Sequence, residues 1–360
     1  MTTALLFGGG LALLIVGAEM LVRGAGRLAV AWGISPLVVG LTVVAFGTSS
    51  PEVAVSVGAA MSGKVDLAVG NVVGSNIFNV LFILGLAALI TPLVVAQQLI
   101  RQEVPVMIGV SVLLLLFARD GVVGRIESAV LLAGLAAYTI FVVLQSRRER
   151  QSEVEAEYAA KIDTDRPAAS GAFMLNIVLA IVGLALLVLG ARWLVAAAIA
   201  VARQFGLSEL VIGLTILAAG TSLPEVASSV VAAVRGQRDI AVGNVIGSNL
   251  FNVLGCLGLA GLVASDPLTV APAVIAFDLP VMVAVAIACL PIFFTGAAVA
   301  RWEGLVFLGY YGAYMGYLIL AANEHDALPL FSRAMMGFVV PITVITLLVV
   351  VGRALRGKRP

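Results

Sequence analysis

Glu52 and Glu225 each end the same six-residue pattern, Gly-Thr-Ser-x-Pro-Glu, and each lies inside a long apolar stretch. Thr48 and Glu52 are four apart and Ser49 and Glu52 three apart, so on a helix all three share one face. Thr221, Ser222 and Glu225 repeat that spacing. Pro51 and Pro224 have no N–H, and a proline ring clashes with the carbonyl four residues back, so carbonyls of the preceding turn are freed from the helix ladder. In an apolar medium a freed carbonyl needs another partner, and a bound cation is one. Each motif therefore offers a carboxylate, two hydroxyls and loosened carbonyls. These are hard oxygen donors, the ligand type for Na⁺, Ca²⁺ and Mg²⁺. No thiolate or imidazole stands near either motif in sequence to favour zinc or copper, and His325, the sole histidine, falls in a loop.

A second pattern, Gly-Ser-Asn-x-Phe-Asn, follows each of the first, at Gly74–Asn79 and Gly247–Asn252. Ser75 and Asn79 are four apart, as are Ser248 and Asn252, so each pair shares a helical face. Asn76 and Asn249 point elsewhere, with two uses open: bridging neighbouring helices or touching an ion. Both patterns belong to one duplication. Residues 40–87 align without a gap on residues 213–260 at an offset of 173, with 33 of 48 positions identical. A single Thr-Ser-x-Pro would fit a Pro-kinked helix glued by polar side chains. Two copies, each with a glutamate in apolar surroundings, mark a functional site.

The remaining polar residues read more plainly. Asp66 and Asp239 sit where helices start and complement the helix dipole. Glu19 aligns with Arg192 and reads as half of a packing or interface pair. Glu103 and Asp278 precede Pro105 and Pro280 and read as interfacial. Cys256 and Cys289 lie in apolar runs and read as small buried hydrophobes.

With 61% apolar and 11% charged residues, the chain is far from the roughly 25% charged composition of a soluble domain. It reads as an all-α integral membrane protein with the lipid bilayer as its medium. A net charge of +1 names no partner and gives no reason to expect nucleic acid. Spans of about 20 apolar residues fall at roughly 3–30, 35–62, 66–90, 102–118 and 126–145, then 173–201, 207–234, 239–263, 272–295 and 302–322. An eleventh, 329–352, has no counterpart. The first stretch has no basic leader or small-residue cleavage site and reads as a span, not a removed signal.

Five spans per repeat is odd, so the second copy enters the membrane from the opposite side. Inverted repeats with broken spans are the architecture of secondary transporters, with the site near the midplane between the halves. The expected division is 1–145 for the first repeat, 146–170 for a polar linker, 171–322 for the inverted repeat and 323–360 for the extra helix and basic tail. With the N-terminus outside, the inner side holds Arg27, Arg101, Arg147, Arg148, Arg150, Lys161, Arg166, Arg235, Arg238, Arg301, Arg353, Arg356, Lys358 and Arg359. The outer side holds Lys64, Arg119, Arg125, Arg203 and Arg333. That bias puts the linker and the C-terminus in the cytoplasm.

The duplicated motifs resemble the two α-repeats of the calcium/cation antiporter superfamily, nearest to its bacterial sodium/calcium exchanger branch, over nearly the whole chain. The resemblance implies a ten-helix core of two inverted five-helix repeats in the inner (plasma) membrane. It implies exchange of Ca²⁺ for Na⁺ or, in other branches, H⁺, with no resident cofactor. Carried over by motif, the ion ligands fall on Thr48, Ser49, Glu52, Ser75 and Asn79, and on Thr221, Ser222, Glu225, Ser248 and Asn252, with carbonyls of Ala45 and Ala218. Well-known exchangers have an aspartate where this chain has Asn252, so the site holds two carboxylates. Two charges balance one Ca²⁺ or two Na⁺, and a third Na⁺ would leave the site positive.

Na⁺/Ca²⁺ antiport by alternating access is the leading expectation. H⁺/Ca²⁺ antiport is the same-fold alternative, because Glu52 and Glu225 could take up protons as Ca²⁺ leaves. The duplicated hydroxyls favour Na⁺, since a proton needs no coordination shell. A channel and an intramembrane enzyme are further classes. Two-sided halves argue against a continuous pore, and a dyad of glutamates would leave the hydroxyl–proline–amide groups without a role. The sequence does not set the oligomeric state.

Overall fold

The computed structural model describes residues 2–32, 34–148, 170–204 and 218–357. Its spans are α1 (Thr3–Ala29), a bent pair α2 (Pro36–Thr48) and α3 (Ser50–Met61), α4 (Val65–Ile90), α5 (Leu99–Asp120), α6 (Arg125–Ser146), α7 (Phe173–Gln204), a shorter α8 (Leu223–Val234), α9 (Arg238–Val263), α10 (Val274–Phe294), α11 (Arg301–Ala322) and α12 (Leu328–Val350). The spans expected from sequence are present to within a few residues. The first part of the expected seventh span, 207–217, lies outside the described residues, as does most of the 146–170 linker and the end of the basic tail.

Four two-residue strands show how the halves are arranged. β1 (Leu93–Val94) follows α4, the third span of the first half, and pairs antiparallel with β4 (Ala298–Val299), which follows α10, the fourth span of the second half. β2 (Val122–Val123) follows α5 and pairs with β3 (Leu268–Thr269), which follows α9. Successive connections between spans lie on opposite faces of a membrane. The crossed pairing therefore sets the two halves upside down relative to each other. Arginines reinforce it: Arg125 at the start of α6 donates to the carbonyl of Ala264 after α9, and Arg301 at the start of α11 donates to that of Ile90 ending α4. A cation on the last carbonyls of a helix is favourable there.

α1 and α7 pack antiparallel with their backbones in contact. A Cβ on Gly10 would lie 2.9 Å from the Gly190 carbonyl oxygen, and one on Gly183 would lie 2.5 Å from the Leu21 nitrogen. Small residues at such crossings let membrane helices approach closely, which is where their attraction comes from. The centre of the molecule is α4 and α9. Their apolar windows are 72% and 83% enclosed, against none for α12. A helix that is apolar all round is a core helix, and these two carry the Gly-Ser-Asn-x-Phe-Asn motifs. Each also widens into a π turn beginning at its last motif residue, over Asn79–Leu84 and Asn252–Leu257. The 3.6-residue pattern gave no sign of these wider turns.

Candidate ion-binding site

The break between α2 and α3 puts the first acidic motif in place. α2 ends at Thr48 and α3 starts at Ser50, with Pro51 in its first turn and a bend of 47°. Proline suits that position because its missing N–H would be unpaired anyway. The spacing implies one continuous helix, but Pro51 opens a new helix rather than kinking an old one. It also corrects the fate of the freed carbonyl, since Gly47 O accepts from Ser50 Oγ at 2.8 Å. Ala45 O accepts the Ser49 N–H at 3.0 Å. In the second half Leu223 stands where Ser50 does, and Ala218 opens the short turn Ala218–Gly220 before α8.

Thr48, Ser49, Glu52, Ser75, Asn79, Ser222, Glu225, Ser248 and Asn252 are all buried, and Thr221 is half-buried. They meet across the boundary between the halves, each half completing the other. Ser222 Oγ donates to Glu52 Oε1 at 2.7 Å, and Ser49 Oγ donates to Glu225 Oε1 at 3.0 Å. Thr221 stands beside Glu52 and Thr48 beside Glu225. Ser75 Oγ lies 3.3 Å from Ser222 Oγ. Asn79 Nδ2 donates to Asn249 Oδ1 at 3.0 Å, and Asn252 Nδ2 to Asn76 Oδ1 at 3.1 Å. Asn76 and Asn249 also donate to each other's backbone carbonyls, at 3.2 and 3.4 Å. Of the two uses open for these asparagines, bridging is the one observed.

Asn71 and Asn244 are site neighbours whose role the sequence did not assign. Thr48 Oγ1 donates to Asn244 Oδ1 at 3.1 Å, and Thr221 Oγ1 lies 3.5 Å from Asn71 Oδ1. Their amide nitrogens bind serines on the preceding helix, Ser56 for Asn71 and Ser228 and Ser229 for Asn244. The signal was there: both asparagines belong to the duplicated block, at the same offset.

Glu103, near the start of α5, is held by protein side chains. It is 1% exposed and accepts from Tyr138 at 2.6 Å and Gln98 at 3.0 Å. Asp278 accepts from Tyr314 at 2.7 Å. Glu19 pairs with Arg23 and Arg235, a packing pair as read. Asp66 and Asp239 lie in first helical turns, as read. Both cysteines are buried free thiols. Cys256, however, stands closer to the carboxylates than the sequence reading allowed, within electrostatic range of both Glu52 and Glu225.

Among the described residues, four buried oxygens in this cluster have no hydrogen-bond partner: Glu52 Oε2, Glu225 Oε2, Asn79 Oδ1 and Ser248 Oγ. Buried polar atoms are nearly always paired, and leaving one unpaired costs about 1–3 kcal/mol, more for a charged group. No arginine or lysine among the described residues neutralises either glutamate. Two dehydrated carboxylates without a counter-charge require a cation or protons. The donor set is entirely oxygen and fits a hard cation as substrate.

Comparison with known proteins decides the class. The sequence model described as sodium/calcium exchanger protein matches residues 2–145 and 175–320. This chain belongs to the sodium/calcium exchanger family. The sodium/calcium exchanger MaX1 of Methanosarcina acetivorans is 33% identical over 337 residues, spanning 85% of this chain and 95% of that protein. The inner membrane protein YrbG of Escherichia coli is 40% identical over 274 residues, spanning 74% of this chain and 82% of that protein. The solved structure of the sodium-calcium exchanger NCX_Mj superposes with a TM-score of 0.74 at 30% identity, covering 88% of this chain and 99% of that one. The chain is thus a transmembrane antiporter with an inverted-repeat core, and its relatives are transporters.

Proposed function

We propose that this family member exchanges Ca²⁺ for Na⁺ by alternating access, with the ions bound between α2–α3, α4, α8 and α9. The observation that carries this reading is the crossed pair of carboxylates, each fixed by a serine of the opposite half and each with its second oxygen unpartnered. Glu52 and Glu225 supply the charge. Asn79 and Ser248 offer free oxygens, and Thr48, Ser49, Ser75, Thr221, Ser222 and Asn252 complete the walls, with the Ala45 and Ala218 carbonyls at the two helix breaks. Two negative charges neutralise one Ca²⁺ or two Na⁺, so either load gives a neutral site between the halves. Because each carboxylate is gripped by the other half, relative movement of the halves remakes the site, and ion occupancy is coupled to that movement. The N-terminus is outside and the C-terminus cytoplasmic, on the loop-charge bias.

Purified protein in liposomes tests the coupling. Liposomes loaded with Na⁺ take up ⁴⁵Ca²⁺ when the outside Na⁺ is low, and liposomes with only a pH gradient do not. Uptake driven by the pH gradient alone would assign the carboxylates to protons and give the H⁺/Ca²⁺ reading instead.

A further inference from the structure

Asn79 and Asn252 occupy equivalent places in the two halves, yet their amide oxygens are in different situations. Both amide nitrogens are spent on the opposite half, on Asn249 and Asn76. Asn79 Oδ1 is left buried with no hydrogen-bond partner among the described residues. Asn252 Oδ1 accepts the thiol of Cys256 at an Sγ–O distance of 3.6 Å. Both residues lie in the π turn Asn252–Leu257, and both are fully buried. The residue matching Cys256 in the first half is Ile83, also fully buried, which has no proton to donate. Cys289, the other free thiol, donates to Val285 O within its own helix.

We infer that Cys256 is a positioning residue that holds the amide oxygen of Asn252 and so makes Asn252 a weaker ion ligand than its counterpart Asn79. An amide oxygen has two lone pairs. The thiol occupies one and sets the positive end of its S–H dipole against that oxygen, which makes it a poorer donor to a cation. Asn79 carries no such donor and keeps its oxygen for the ion. The two halves, alike in motif, are thereby made unequal at the one pair of amides that completes the ion cage. This rests on the site reading given above.

Equilibrium ⁴⁵Ca²⁺ binding to the purified full-length protein is the test, in wild type, Cys256→Ala, Cys256→Ser, Asn252→Ala and the Cys256→Ala/Asn252→Ala double variant. Releasing one amide oxygen lowers the Ca²⁺ dissociation constant of Cys256→Ala roughly threefold to tenfold, the size of one hydrogen bond's net effect, whereas Cys256→Ser keeps a donor and stays within about twofold of wild type. In the Asn252→Ala background the Cys256→Ala change disappears, because the group it acts on is gone. An unchanged constant in Cys256→Ala, an equal effect without the Asn252 amide, or a serine variant that behaves like alanine would each overturn the inference. Infrared spectra of the Cys289→Ala protein give a readout that needs no change at Cys256. The single S–H band sits at a hydrogen-bonded frequency and stays there when Ca²⁺ is added. A move to the free-thiol frequency on adding Ca²⁺ would show that Asn252 is surrendered to the ion. Absence of Ca²⁺ binding in the wild type itself would reject the site reading, and this inference with it.

Discussion

Ser49 donates to the carboxylate of Glu225 at 3.0 Å across 176 positions of sequence, and the matching serine of the other half, Ser222, donates to Glu52 at 2.7 Å. Neither acidic motif is complete alone. The serine three residues before each glutamate serves the other glutamate, so the charge of one half is oriented by the other. Hydrogen bonds to a charged group are worth about 1.5–3 kcal/mol. Ser49→Ala and Ser222→Ala should each weaken Ca²⁺ binding by about 2 kcal/mol, roughly thirtyfold. Binding isotherms on the two variants check this. The two losses should be alike in size, since the pairs are equivalent.

Much of this was legible in sequence because it was duplicated. Ser75, Asn79, Ser248 and Asn252 are found from the spacing within a repeat that recurs at a fixed offset. What was not legible is what tertiary contact decides. Ser49 looked like a partner for Glu52, three residues away on the same face, yet it turns to Glu225, because Ser49 sits at the break between two helices rather than within one. Tyr138 on the next span covers Glu103, a contact that the spacing around Pro105 does not carry. The strands β1 to β4 are two residues long, too short to carry an alternating pattern. The π turns at Asn79 and Asn252 keep the same apolar composition as the helices around them.

The contact between α1 and α7 leaves no room for a side chain at Gly183, where a Cβ would lie 2.5 Å from the Leu21 nitrogen and 2.7 Å from the Gly17 carbonyl oxygen. Gly183→Val should destabilise the protein by about 1–3 kcal/mol through overpacking. Thermal unfolding in detergent checks this. Gly70→Ala is the control, because nothing lies within 4 Å of a Cβ there.

The proposed orientation makes a labelling prediction. Lys64, Asp266 and Gln97 are exposed in connections, the first two on the outer side and Gln97 on the inner side in that orientation. Both native cysteines are buried, so they give little background. A membrane-impermeant thiol reagent should label Lys64→Cys and Asp266→Cys on intact cells and Gln97→Cys only after the cells are opened. The reverse pattern would invert the topology.

Asn252 leaves the site with two carboxylates. Moving one net charge across the membrane is worth about 2.3 kcal/mol per 100 mV. Exchange of two Na⁺ for one Ca²⁺ moves none, so Na⁺-driven Ca²⁺ flux in liposomes clamped with K⁺ and valinomycin should depend weakly on potential. Asn252→Asp adds a third charge and should raise that dependence by making room for a third Na⁺. Strong dependence in the wild type, unchanged in Asn252→Asp, would show that site charge does not set the stoichiometry.

The central claim is that Glu52 and Glu225 form one site that Ca²⁺ and Na⁺ occupy in turn. Equilibrium binding of ⁴⁵Ca²⁺ to purified protein, displaced by Na⁺, tests it directly. At about 4 Å and an effective dielectric constant near 20, one unit charge acting on a divalent cation contributes roughly 8 kcal/mol, close to a millionfold in affinity. Wild type should bind Ca²⁺ and release it competitively as Na⁺ rises, while Glu52→Gln and Glu225→Gln, still folded and monodisperse, each lose binding by about that factor. Wild-type Ca²⁺ affinity in either glutamine variant, or Ca²⁺ that Na⁺ does not displace, would contradict the account.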